Sequence, residues 1–176
     1  MEDFQRVGYS KEVIEFTTVA KEFCDLVERV TGEEKKQFLV QLQQLLPLIY
    51  LKGSLLPECE SDETGMNEEI VTEEDYNFLH KHIWQLMAGD DEYLEVFDDN
   101  MRYSETPVVA SIAENVCDIY QDLKNFISSY QHGMLDVIQE ALWQLNANFE
   151  LYWGRACVSV LRAIHAVIYR VTDEEA

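Results

Sequence analysis

Basic side chains are scarce in this sequence. Its 176 residues hold 13 Lys plus Arg against 34 Asp plus Glu, a formal charge of −21. A protein that binds a nucleic-acid backbone needs the opposite balance, because cations supply its affinity, so nucleic acid is not an expected partner. The same deficit disfavours docking on anionic lipid. No apolar run approaches the roughly 20 residues of a membrane-spanning helix. Met1 to Lys11 hold neither an apolar signal core nor a small-residue cleavage site, which predicts a cytoplasmic protein. Proline is also rare, at three residues, so little interrupts helix formation.

The cysteines Cys24, Cys59, Cys117 and Cys157 show no close pair of the kind that holds zinc or performs redox exchange. Cys24, Cys117 and Cys157 fall in apolar helical register and read as small buried hydrophobes. Cys59 lies in an acidic loop, where neighbouring carboxylates are expected to raise its pKa.

What is abundant is apolar surface. A hydrophobic fraction of 47% with 11% aromatic residues exceeds that of a disordered acidic tail. The length fits one domain over residues 1–176. From Ser10, a predicted N-cap, Val13, Phe16, Ala20, Phe23, Val27 and Val30 recur at steps of three and four. Gly32 ends this helix, and Thr31 with Glu34 has capping-box spacing for the next. The second stripe is Phe38, Leu42, Leu45 and Ile49, widened by Leu39, Leu46 and Tyr50. Pro47 inside it predicts a kink near Leu45 or an early stop.

Loops are expected at about 53–71 and 89–105. Between them, Thr72 and Asp75 form a weaker capping signal for a helix on Tyr76, Leu79, Ile83 and Met87, closed by Gly89. Asp90 to Glu105 reads as irregular or as one short helix around Tyr93 to Phe97. Thr106 and Pro107 mark a fresh helix start, continued on Val109, Ile112, Val116, Tyr120, Leu123 and Ile127. After Gly133 the stripe Ile138, Leu142, Leu145, Phe149, Tyr152, Ala156, Val160, Ala163 and Val167 keeps phase across Gly154. One long helix bent or broken at Gly154 is therefore expected. No alternating strand pair stands out. The predicted fold is an all-α antiparallel bundle of five or six helices.

The negative charge is local. Glu58 to Glu105 holds 16 acidic residues and only Lys81 and Arg102 in opposition, or −14 of the −21. A solvating coat and a docking surface for a basic protein both fit. The docking candidates are Asp90, Asp91, Glu92, Glu95, Asp98 and Asp99. No acidic run matches a calcium loop: from Asp62, Met66 takes a ligand position, and from Asp90, Glu95 takes the glycine position. No Glu-x-x-His pair precedes any histidine, so no metal or cofactor is assigned. His80 sits in an apolar stripe and reads as a core histidine with a hydrogen-bond partner.

One polar constellation does stand out. Glu114, Asp118 and Asp122 share a face of the fourth helix, while Arg155, Arg162, Arg170 and His165 make the end of the chain mildly basic. If those helices pack together, the strips meet. Ion pairing, a pocket for an anionic group, and acid–base chemistry by His165 with Asp118 or Asp122 are the three readings. The candidate cluster is thus Asp118, Asp122, Arg155, Arg162 and His165.

Three blocks extend the reading. Asp118-Ile119-Tyr120-Gln121-Asp122-Leu123-Lys124 is one. Tyr152-Trp153-Gly154-Arg155 with Leu161-Arg162-Ala163-Ile164-His165 is the second, and Leu46-Pro47-Leu48-Ile49-Tyr50-Leu51-Lys52 the third. With Ser54-Leu55-Leu56-Pro57, they resemble a bacterial family catalogued only as a domain of unknown function. The resemblance implies an intracellular bacterial helical protein and carries over no catalytic or binding residue. Together these features favour a non-catalytic protein-interaction module using its acidic surface. A ligand-binding or hydrolytic enzyme with its site between the fourth and last helices is the alternative. Self-association is compatible with both, and nothing fixes a number of copies.

Overall fold

The computed structural model describes residues 7–61, 69–95 and 107–170. Helix α1 (Lys11–Glu28) starts where Ser10 Oγ accepts the Val13 N–H, and the predicted stripe from Val13 to Val27 is buried. A 3₁₀ turn, Val30–Gly32, then leads to α2 (Lys35–Gly53). The capping box expected at Thr31 and Glu34 does not form. Thr31 is spent inside the turn, and Glu34 itself occupies the N-cap position without a side-chain bond. Glu15 near the start of α1 meets Lys52 near the end of α2 at 2.6 Å, so the two helices run antiparallel. α2 continues through Pro47 to Gly53 without the expected early stop. Proline withdraws one backbone donor, and burial of Leu42, Leu46 and Ile49 outweighs that loss.

Helix α3 (Glu73–Met87) opens on a complete capping box between Thr72 and Asp75. It ends on Ala88 in the left-handed region, at φ 48°, followed by Gly89 at φ 95°. The short helix considered around Tyr93 is replaced by strand β1 (Glu92–Leu94), paired antiparallel with β2 (Val109–Ser111). Tyr93 faces Ala110 in that ribbon. Pro107 consequently does not start a helix, and Thr106 lies outside the described residues. α4 (Ile112–His132) begins five residues later, capped by Ser111. Phe97 and the rest of 96–106 lie outside the described residues.

The chain closes with α5 (Leu135–Asn148), a π turn (Phe149–Trp153) and α6 (Gly154–Ile168). They run on as one helix of 34 residues. The π turn inserts one residue into the helical phase. Trp153 takes the buried place that the period assigned to Tyr152, and Tyr152 is turned out at 66% exposure. Trp153 is fully buried beside Phe16, 5.9 Å between ring centres, and Phe149, 4.6 Å. Its indole N–H donates to the Leu145 carbonyl at 3.0 Å. All the helices contribute to one buried apolar cluster, with α6 packed along α2 and against α4. The fold is all-α apart from the small ribbon. Among the described residues, no helix is long and apolar enough to cross a membrane.

Candidate functional site

Two cavities flank the π turn. The larger, about 550 Å³, lies between the C-terminal end of α2, the end of β1, the first half of α4 and the π turn with the start of α6. Tyr50, Phe149, Leu151, Tyr152 and Val158 give it apolar walls, and Glu95, Asp118, Glu150 and Arg155 give it charge. Tyr50 and Phe149 pack at 5.3 Å between ring centres. Three carboxylates face one guanidinium, so the cavity is net negative.

Local structure fixes several of these side chains. Tyr76 on α3 donates its O–H to Asp118 Oδ1 at 2.7 Å, and burial pushes the Tyr76 phenol above its ordinary pKa. Ser159 Oγ donates to Glu95 at 3.3 Å. Asn115 Nδ2 donates to the Tyr93 hydroxyl at 2.5 Å, tying the ribbon to α4.

The smaller cavity, about 270 Å³, is the polar one. Glu69, Asp122, Asn125, Gln144 and Asn148 line it over Phe126, Ala141 and Leu145. Asn148 Nδ2 donates to Asp122 Oδ1 at 2.6 Å, and Gln144 Nε2 donates to Asn148 Oδ1 at 2.8 Å. Burial pushes the Asp122 carboxyl up to about 6, the Asn148 bond working against that rise. Nearby Asp118 and Glu69 add to it.

The five-residue polar cluster is divided by this geometry. Asp118 and Arg155 line the larger cavity, and Asp122 lines the smaller. Arg162 and His165 are exposed and line neither; His165 packs on Tyr169 at 4.6 Å. Glu114 donates its backbone N–H to the Ser111 cap, and Arg170 pairs with Asp90 at 2.8 Å.

The acidic candidates also separate. Asp90 lies between Lys35, at 2.6 Å, and Arg170, and the hydrogen bond from Lys35 holds its carboxyl below the usual range. Lys35 also donates to the Met87 carbonyl, closing the end of α3. Asp91 is only 4% exposed and accepts from Ser111 Oγ at 2.6 Å and from Ala113 N at 2.8 Å. It is a capping group for α4, not a surface charge. Glu92 is exposed on β1 and Glu95 lines the larger cavity; Asp98 and Asp99 lie outside the described residues.

Other expectations resolve similarly. Cys24, Cys117 and Cys157 are buried free thiols, as their register predicts. Cys59 is half-buried, and its thiol is pushed up to about 11 chiefly by burial, with Glu140 adding to it. His80 is half-buried and stacked on Tyr76 rather than held in the core. Sequence reasoning missed the amides Asn125, Gln144 and Asn148. The available signal was Asn148, which follows Ala141 and Leu145 at core spacing.

The comparisons agree with this architecture. No curated protein matches the chain. The crystal structure of protein BF1032 from Bacteroides fragilis is similar over 95% of this chain and 98% of that one, with 37% identity and a TM-score of 0.86. Residues 7–170 match the family described as a domain of unknown function (DUF5063), and the chain belongs to that family.

Proposed function

We propose that the chain is a non-catalytic protein-interaction module whose larger cavity receives a cationic, apolar-anchored segment of a basic partner protein. The observation that carries this reading is the pairing of chemistries in one groove. Tyr50, Leu151, Tyr152 and Val158 remain exposed along it, beside three carboxylates and a single arginine. Apolar side chains gathered on one exposed surface mark association sites, and aromatic anchors dominate binding energy in such surfaces. The carboxylates select for positive charge and speed its approach, an effect reinforced by the chain's −21.

Asp90 and Asp91 are committed to internal partners. The proposed interface uses Glu95, Asp118 and Glu150 because these three line the cavity, Asp118 while accepting from Tyr76 and Glu95 while accepting from Ser159. A hydrolytic centre built on Asp118, Asp122, Arg155, Arg162 and His165 is less well supported, because these side chains are shared among two cavities and open surface.

Site-specific photo-crosslinking tests the proposal. A photoreactive residue at Val158 should capture one basic protein in living cells, and the same residue at Trp84, which is exposed on α3, should not. Glu150→Lys should abolish the Val158 product. Equal capture from both positions, or a product indifferent to Glu150→Lys, overturns the reading.

A further inference from the structure

We infer that the outer face of the long closing helix pairs with a second copy of this chain, the two helices antiparallel about a two-fold axis beside Ala156. This inference does not need the groove to bind a basic protein.

A row of exposed apolar side chains makes the first part of the case. Trp143 on α5, Leu151 in the π turn, Val158 on α6 and Tyr169 at its C-cap are all exposed. Their spacings are eight, seven and eleven residues. Seven and eleven residues are close to two and three whole helical turns. The first interval spans the π turn, whose inserted residue makes eight equivalent to seven. The four therefore form one straight row, on the side away from the buried Leu145, Cys157 and Ile164. An apolar row along one exposed helix face is the pattern by which helices pack on each other.

Charge identifies the other helix. From Ala141 to Arg170 the only acid is Glu150, against Arg155, Arg162 and Arg170. Two chains of −21 therefore repel least on this face. Arg170 is already paired with Asp90. Glu150 and Arg162 are exposed, and among the described residues neither forms an ion pair. A two-fold interface makes every contact twice, with the roles of the two copies exchanged. Glu150 lies six positions before Ala156 and Arg162 six after it; Trp143 lies thirteen before and Tyr169 thirteen after. One antiparallel register thus sets Glu150 against Arg162 of the partner subunit, and Trp143 against the partner's Tyr169.

Other occupants answer less of the face. An acidic protein would suit Arg155 and Arg162 but set Glu150 against like charge. A basic one would do the reverse. Arg155 falls beside the axis, near its own copy, and the groove carboxylates of Asp118 and Glu150 offset that like charge. Glu150 and Val158 line the groove as well, so a second copy and a groove ligand exclude each other. A photoreactive residue at Val158 reports both, separated by mass. Arg162 lies outside both cavities and reports self-association alone.

Sedimentation velocity of the intact chain, with no other protein present, tests the inference. The parent should pass from monomer to dimer at micromolar concentration. Glu150→Arg and Arg162→Glu should each weaken the dimer at least tenfold, since each sets like charges together twice. Mixed in equal amounts, these two variants should re-form a dimer within about threefold of the parent affinity, because opposite charges then meet again. Trp143→Ala should weaken the dimer through its apolar contact alone. Trp84→Arg, on the exposed side of α3, should leave it unchanged. Circular dichroism checks that each variant is folded. A parent that stays monomeric up to millimolar concentration, or forms an oligomer other than a dimer, overturns the inference. So does a dimer indifferent to both charge variants, one equally weakened by Trp84→Arg, or a mixture that fails to re-form it.

Discussion

Gly53 lies directly beneath the indole of Trp153: a Cβ at Gly53 would stand 2.5 Å from Trp153 Cη2. A Cβ at Gly154 would collide with the Phe149 carbonyl oxygen of the π turn. Gly53 lets α2 close on the fully buried Trp153, and Gly154 leaves room for the Phe149 carbonyl and ring within the π turn. The Tyr-Trp-Gly-Arg run thus has one physical job in two directions. Trp153 and Gly154 lock the turn inward, while Tyr152 and Arg155 are thereby placed on the groove.

Gly53→Ala and Gly154→Ala should each destabilise the protein by about 1–3 kcal/mol, the usual range for overpacking a tight core. Gly154→Ala should be the worse, because its neighbour is backbone and cannot rotate away. Urea unfolding midpoints check both, and neutral substitutions would show that the turn does not need the close approach.

Asp91→Ala should cost about 2 kcal/mol through loss of a charged helix cap. Its carboxylate serves Ser111 and Ala113 at the start of α4. Glu92→Ala, on the exposed neighbour in β1, should cost almost nothing. Thermal unfolding of the two variants separates a capping acid from a surface acid.

Ala88→Gly should stabilise the chain by about 0.5–1 kcal/mol, because Ala88 occupies the left-handed region in which a Cβ is strained. Equilibrium denaturation measures the gain. A loss would mean that the Ala88 methyl contributes more through packing than the backbone strain costs.

Asp122 predicts a specific pH dependence. Burial raises its carboxyl from the ordinary 3.8 to about 6, so the folded state holds that proton more tightly than the unfolded chain. The resulting contribution is fully present below pH 3.8 and is lost as pH rises through 6. Asp122→Asn should therefore be more stable than the parent at pH 7, by about 1–3 kcal/mol. The difference should close near pH 4. Paired denaturation curves from pH 4 to 8 test it.

The periodic parts of this fold are legible in sequence because burial repeats with the helix. Val13 to Val27 and Ile112 to Ile127 fall on the core side in order. The π turn is not legible that way, since stepping on to Tyr152 keeps an apolar residue at the next position and hides the inserted one. Ribbon strands of three residues each, Glu92–Leu94 and Val109–Ser111, are too short to show alternation. Charge counting found the acidic segment but could not tell Asp91, turned inward under α4, from Glu92 beside it. The polar strips were half legible: helical spacing put Asp118 and Asp122 on one face. Which cavity each one enters depends on the π turn and on amides that carry no charge to count.

The central claim is that the groove at the π turn binds a cationic, apolar-anchored segment. It is tested most directly by selecting random twelve-residue peptides on the intact protein and mapping the tightest by amide-resolved NMR. The account predicts Lys- or Arg-containing peptides with apolar anchors, and saturating shifts concentrated at Tyr50, Phe149, Tyr152 and Val158. Affinity should fall at least tenfold in Glu150→Lys. Selected peptides without excess positive charge, or shifts spread along Glu73 and Glu74 of α3 without saturation, would contradict it.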